Sequence, residues 1–362
     1  MKRIILVMLT MLLISAVIFG GCAQPAEPTT PAEPTTPTEP VKTIEWRWAS
    51  FIPPMDAFAY AALDWGEQLE EATGGRMKIT FYWSESLIKM PGLFDGISSG
   101  VAQVGHFSYT TQPERFALQM CLLLPMIFRT APQTGQVAIS LYNRHQEWRD
   151  AFGATQLLWH QTPGPGGNLC TKMPIRTMED LKNVKLASSG KYEILSYDLL
   201  GATVVPINVG ERYQALETGV VDGCIEDWVA VYMWKMYEAT TYRTENVDLF
   251  MRGFPTVMNT EAYNQLPEEI KQIFDEVTDP MEITKFQNEG WNQNNQDYRQ
   301  AIIEHDEKVG NPPFYVLPEA ERERWKATVA QLVEDYIIEM EEKGLPGRVI
   351  VEDMKALAEQ YK

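Results

Sequence analysis

An alternation of strand-like and helix-like segments runs through this chain twice, and it confines the foldable part to a two-lobed α/β architecture. Residues 43–49 (TIEWRWA) alternate apolar and polar side chains, as a half-buried strand does. Phe58, Ala62, Trp65, Leu69 and Ala72 then recur at three- and four-residue steps on one helical face, which Gly74 and Gly75 bring to an end. Residues 77–83 (MKITFYW) alternate again, 91–100 read as a helix and 101–107 as a strand. After a break at 163–168 (PGPGGN), the order returns: helix 178–181, strand 184–187, helix 193–200, strand 202–207, helix 211–218, strand 220–225. Such an order implies mostly parallel sheets with helices on their faces. Beyond residue 267 the chain reads as helical, over 268–277, 281–308 and 319–343. The expected lobes are 43–162 plus 249–290, and 163–248, with 291–362 as helices packing across both.

What precedes residue 43 reads as an export and anchoring device. Lys2 and Arg3 give a short positive start, residues 4–19 are almost wholly apolar, and the run ends in Gly20, Gly21 and Cys22. A charged start, a short apolar stretch and small residues at the cut describe a signal peptide over 1–21 rather than a spanning helix. Cysteine directly after two glycines matches the lipobox of bacterial lipoproteins, so Cys22 is the expected lipidation site. Several acyl chains hold a protein to a membrane far more firmly than one. Residues 22–42 then carry the lipidated Cys and a tract of Pro, Thr and Glu that cannot bury a core and reads as an extended tether. The expected place is the outer face of the cytoplasmic membrane or the periplasm.

Charge and cysteine usage exclude other classes. The formal charge is −18, and loss of Lys2 and Arg3 with the leader makes the remainder more negative still. That argues against nucleic acid and against anionic lipid headgroups as partners, leaving membrane contact to the anchor. Cys121, Cys170 and Cys224 show neither CxxC spacing nor a nearby His pair, so no zinc or redox site is indicated. They read as buried thiols, with one disulfide among them as the alternative.

Open α/β sheets bind ligands beyond the carboxyl ends of their strands, and small-molecule sites favour domain interfaces. The residues placed there are Phe51, Trp83, Phe107, Tyr109, Ser188, Tyr192, Asn208, Glu226, Asp227 and Trp228. Each has a plainer reading: the aromatics as core, Asn208 as a helix cap, Glu226 and Asp227 as solvated loop charges. Met120, Met126, Met233 and Met236 read as core filler. Gly96, Ser98 and Gly100 fit the G-x-S-x-G hydrolase elbow, but that elbow needs a strand before the serine and a helix after it. Here the order is reversed, and none of the four histidines stands in a triad position. A serine hydrolase is the alternative of another class, and the expectation is no enzyme.

Several segments resemble the dicarboxylate-binding (DctP) type receptors of tripartite, ATP-independent periplasmic (TRAP) transporters. They are TGGRMKI (73–79), LPMIF (124–128), PIRTMEDLK (174–182), LGA (200–202) with Pro206, ERYQAL (211–216), GVVDG (219–223) and LPEE (266–269). The resemblance covers residues 43–300 and implies a periplasmic-binding-protein-like fold that closes on a small organic solute and delivers it to membrane permease subunits. A receptor for an ABC importer or a sensor is the alternative within the same class. The family's ligand-holding arginine falls at Ala187, and the second such arginine has no counterpart in 166–172. The acidic pair Glu226 and Asp227 stands where the family has a neutral amide. Three arrangements answer this departure. The ligand is neutral or cationic and faces Glu226 or Asp227; or these oxygens hold a Ca²⁺ or Na⁺ ion that bridges a carboxylate; or Lys191 or Arg212 replaces the missing arginine. No other cofactor is implied.

Overall fold

The computed structural model describes residues 43–54, 57–163, 168–249 and 252–362. The leader, Cys22, the tether and most of the PGPGGN break lie outside the described residues. Two sheets carry the fold. The first contains β1 (Ile44–Ala49), β2 (Met77–Tyr82), β3 (Val104–His106), β4 (Thr155–Gln161) and β10 (Phe254–Asn259), in the order β2-β1-β3-β10-β4. The second contains β5 (Asn168–Thr171), β6 (Lys185–Ser188), β7 (Thr203–Pro206), β8 (Gly223–Glu226), β9 (Tyr242–Glu245) and β11 (Tyr315–Val316), in the order β11-β9-β5-β8-β6-β7.

The two sheets share one plan. Three parallel strands, β2-β1-β3 in one and β7-β6-β8 in the other, are each followed by an antiparallel strand, β10 or β5. That strand arrives from the other lobe, because the chain crosses between β4 and β5 and again between β9 and β10. The second crossing is pinned by Arg322, whose guanidinium meets Asp248 at 2.9 Å.

Helices α1 (Ala57–Ala72), α2 (Leu93–Ser98), α3 (Ala131–Arg144) and α4 (Gln146–Asp150) belong to the first pass along the chain. In the second pass come α5 (Lys191–Leu199), α6 (Arg212–Glu217) and α7 (Trp228–Met233). Then follow α8 (Thr260–Asn264), α9 (Glu268–Val277), α10 (Pro280–Val309), α11 (Glu319–Val329), α12 (Gln331–Glu342) and α13 (Gly347–Gln360). None of the described helices is long and apolar enough to cross a membrane.

The predicted α1, α9 and α10 lie within a few residues of their expected bounds, whereas the predicted helix 319–343 is broken at Ala330. The break lets α11 bury Trp325 and Val329 in the second lobe's core, while α12 and α13 bury Tyr336, Met340, Ile350 and Met354 in the first. A further element is β11: in the gap between the predicted helices 281–308 and 319–343, the chain adds an edge strand to the second sheet, parallel to β9.

Helix α10 docks on both lobes. Asp279 caps its start, the side-chain oxygen accepting from Met281 N at 2.9 Å and Glu282 N at 3.0 Å. Thr284 and Asn288 face the first lobe: Thr284 Oγ1 accepts from His160 N, Asn288 Oδ1 accepts from Thr162 N, and Asn288 Nδ2 donates to His160 O. This closes the hydrogen bonding where β4 leaves its sheet. Further along, Asn295 accepts from Trp228 N at 2.8 Å, Ile302 enters the second core, and Asp306 pairs with Arg243 at 3.1 Å. Gly135 of α3 permits the close approach, since a Cβ there would stand 2.2 Å from Asn288 Nδ2 and 2.6 Å from Thr284 Cγ2. Gly290 of α10 differs, because it faces solvent and a Cβ there would meet nothing within 4 Å.

Candidate functional site

A cleft of about 470 Å³ opens where the two lobes, both crossings and α10 meet. Phe51 and Ile52 reach it from the loop after β1, Asp227 from the end of β8, and Val229, Met233 and Trp234 from α7 and its C-terminus. Pro163 comes from the first crossing, Arg252 and Phe254 from the second, and Trp291 from α10. Phe51 and Phe254 pack with ring centroids 5.6 Å apart. Trp234 and Met233 keep 46% and 43% of their surface exposed, so they are available to a ligand in a way that core side chains are not.

Behind this wall lies a buried ionic triad. Glu226 Oε1 accepts from Arg212 Nη1 and, at 2.6 Å, from Arg252 Nη2. Arg212, the first residue of α6, is fully buried and also donates to Ile207 O at 2.9 Å and Ser189 Oγ at 3.2 Å. Burial pushes the Glu226 carboxyl up, but Arg252 and Arg212 outweigh it and hold the group below the ordinary carboxylate range. Arg252 is pulled down by burial and raised more strongly by Glu226, Glu193 and Asp227, so its guanidinium stays charged. Glu193 of α5 is fully buried, neither of its oxygens has a hydrogen-bond partner, and burial pushes it up to about 7.

The residues predicted from strand ends divide. Phe51 and Asp227 line the cleft, and Glu226 stands directly behind it. Asp227 also caps α7, its Oδ1 accepting from Ala230 N at 2.8 Å. Phe107 and Tyr109 are wholly buried in the first core, packed on Phe116, because β3 ends sooner than predicted and the following turn folds inward. Trp83 stacks on Phe81 at 5.2 Å beside the core and does not line the cleft. Ser188 is buried with its hydroxyl unpartnered, and Asn208 is exposed and forms no side-chain cap. Trp228 turns into the second lobe, its ring 4.9 Å from Phe314. Tyr192 lines a separate recess between α5 and α12.

The substitutes considered for the missing arginine also separate. Ala187 is fully buried in the second core, Lys191 pairs with Glu339 at 3.1 Å beside the other recess, and Arg212 is sealed behind Glu226. Among the described residues, Arg252 is the cation that lines the cleft, with 23% of its side chain exposed. Sequence reasoning missed it, along with Trp234, Phe254 and Trp291. A lone charge in the apolar run LFMRGFPTVM (249–258) was the one available signal.

Both guanidiniums meet Glu226 through Oε1, while its Oε2 is buried without a hydrogen-bond partner, and Asp227 caps α7 through Oδ1. No group of three His, Cys, Asp or Glu among the described residues is placed to hold a metal. Cys170 and Cys224 face each other across β5 and β8 but are free, as is Cys121. Met233, expected in the core, is a cleft residue instead. Ser98 ends α2 and the chain then enters β3, the reverse of a nucleophile elbow.

Comparison with known proteins is decisive at the level of the family. Residues 49–339 match the profile of the bacterial extracellular solute-binding proteins, family 7. The chain belongs to that family. This solute-binding protein is 22% identical over 267 residues to a solute-binding protein of Chromohalobacter salexigens, covering 73% of this chain and 78% of the relative. It is 27% identical over 240 residues to an ectoine/5-hydroxyectoine-binding periplasmic protein of Ruegeria pomeroyi, covering 63% and 67%. Among solved structures, its fold is similar to that of a TRAP solute-binding protein of Rhodoferax ferrireducens in complex with copurified benzoate. That pair has a TM-score of 0.78 at 24% identity, over 88% of this chain and 98% of the other. A marine metagenome TRAP solute-binding protein specific for aromatic acid ligands gives 0.79 at 23%, over 89% and 99%.

Proposed function

We propose that this solute-binding protein is the extracytoplasmic receptor of a TRAP-type transporter, taking up one small organic acid in the inter-lobe cleft and handing it to membrane permease subunits. The observation that carries the reading is the cleft itself, bounded by both lobes and both crossings and holding one arginine on its wall. Family membership supports a receptor role. The neighbours crystallised with benzoate, mandelate or glucuronate support an acidic solute. In this reading the protein performs no catalysis, and the ligand is held without a bridging cation.

A thermal-shift screen of the mature protein against organic acids, amines and polyols tests this. Ligand present at 100 times its dissociation constant stabilises the native state by about 2.7 kcal/mol. At least one acid is expected to raise Tm, EDTA should leave that shift unchanged, and the acid should be recovered intact. Stabilisation by amines alone, or a shift that chelator abolishes, would contradict the reading.

The leader, Cys22 and the tether support anchoring of the receptor at the membrane surface. In a bacterial host, the wild-type protein is expected in the membrane pellet and Cys22→Ser in the soluble fraction. Equal partition of the two would remove the lipid anchor from the account.

A further inference from the structure

We propose a second binding site, outside the cleft: the recess between α5 and α12 takes a small organic ammonium, with its apolar body on the two helices and its charge at Asp198 and Asp335. The proposal does not depend on the receptor reading. At about 350 Å³ the recess lies near the lower end of the roughly 300–1,000 Å³ that small-molecule pockets occupy, room for one ring and a short chain. It follows a seam between the lobes. α5 belongs to the second lobe, whereas α12 places Leu332 in the second core and Tyr336, one turn further on, in the first.

The chemistry comes from one stripe on each helix. Lys191, Leu195 and Leu199 stand at four-residue steps on α5, as do Leu332 and Tyr336 on α12, so each set shares a face. Leu195 and Leu199 each keep 37% of their surface exposed, which leaves an apolar floor open to a ligand. Three carboxylates line the recess, Asp198, Asp335 and Glu339, against one cation, Lys191. Glu339 is engaged by Lys191 at 3.1 Å and by Lys343 at 3.0 Å. The carboxylates of Asp198 and Asp335 make no ion pair or hydrogen bond among the described residues.

Tyr192 is a second and independent sign. It is 5% exposed and lines the recess, yet its hydroxyl has no hydrogen-bond partner among the described residues. Buried hydroxyls are ordinarily paired, so this one marks a place for a polar group from outside the chain. An ammonium carries three donors and no acceptor, enough for the hydroxyl and for carboxylates on the rim. The recess already holds an ammonium of the chain's own: Lys191 Nζ lies 5.5 Å from the centroid of the Tyr192 ring. A carboxylate ligand would meet like charges there, and the chain's formal charge of −18 draws cations to the surface in general.

The test is calorimetric titration of the mature protein at pH 7 and low salt with 2-phenylethylammonium and with 2-phenylethanol, which keeps the ring and chain and loses the charge. The ammonium is expected to bind about 10-fold more tightly, the contribution of two exposed ion pairs. Asp198→Asn combined with Asp335→Asn should erase that preference and leave the fold intact, because both side chains lie on the surface. Leu195→Gln should weaken ammonium and alcohol alike. Trp234→Ala, on the wall of the cleft, should leave the ammonium's affinity unchanged. Absence of ammonium binding, equal affinity for the two probes, or a preference that survives the double variant overturns the proposal. A loss in Trp234→Ala without a loss in the double variant overturns it as well, since it puts the ammonium in the cleft.

Discussion

Glu226→Ala is expected to destabilise the protein by about 3–5 kcal/mol, read as a lowered urea midpoint at pH 7. Glu226 lies fully buried between Arg212 and Arg252, and removing it leaves Arg212 as an uncompensated charge with no exposed surface. The cost is thus chiefly that of the guanidiniums left behind, not the net worth of the pair. The effect also has a sign in pH. The folded carboxyl lies below its unfolded value of about 4.3, so its contribution is present above that pH and is lost as pH falls through the folded value. The difference between wild type and Glu226→Ala should therefore shrink in acid. A loss below about 1 kcal/mol at pH 7 would mean that water reaches the triad.

Glu193→Gln should act in the opposite direction. Glu193 is fully buried on α5 without a hydrogen-bond partner for either oxygen, and burial raises it to about 7. The charged groups facing it are Arg252 from the second crossing, Glu226 from β8 and Arg212 from α6, with Tyr197 on its own helix. A raised folded value means that the wild type is most stable below the unfolded value of about 4.3 and loses stability as pH rises through 7. At 1.36 kcal/mol per unit the penalty at pH 8 is on the order of 4 kcal/mol, and Glu193→Gln removes it. Urea unfolding at pH 5 and pH 8 should show little gain from the variant in the first condition and a clear gain in the second. The same difference at both pH values would mean that Glu193 does not titrate in this range.

The parallel half of each sheet was legible in the sequence because β1 and β2 alternate, α1 carries an apolar stripe, and short strand-like and helix-like runs follow one another in both lobes. The antiparallel strands and α3 were not. β10 (FPTVMN) is buried along its whole length and carries a proline, which demotes a run read by pattern alone. In α3, Pro132 and Gly135 look like breakers, yet the proline sits in the first turn and the glycine lies where α10 approaches. At the site, Phe51 and Asp227 follow strands, so the rule about strand ends could find them. Arg252 and Trp291 reach the cleft through a crossing segment and a distant helix, and no local pattern encodes that meeting. Ala187 explains itself in the structure: its position faces the core, and an arginine's charge is brought in by other segments.

α10 is 30 residues long, about 45 Å, and it is fastened by side-chain hydrogen bonds to one lobe near Asn288 and to the other from Asn295 onward. In mechanical terms it is a leaf spring clamped at two points. Any change of angle between the lobes must appear as curvature in the short span between the clamps, and that span contains Gly290. Glycine gives up about 1 kcal/mol of helix stability relative to alanine, and here no packed neighbour stiffens it. Elastic energy in that span therefore adds to the work of bringing the lobes together, so a residue outside the cleft can tune affinity without touching the solute.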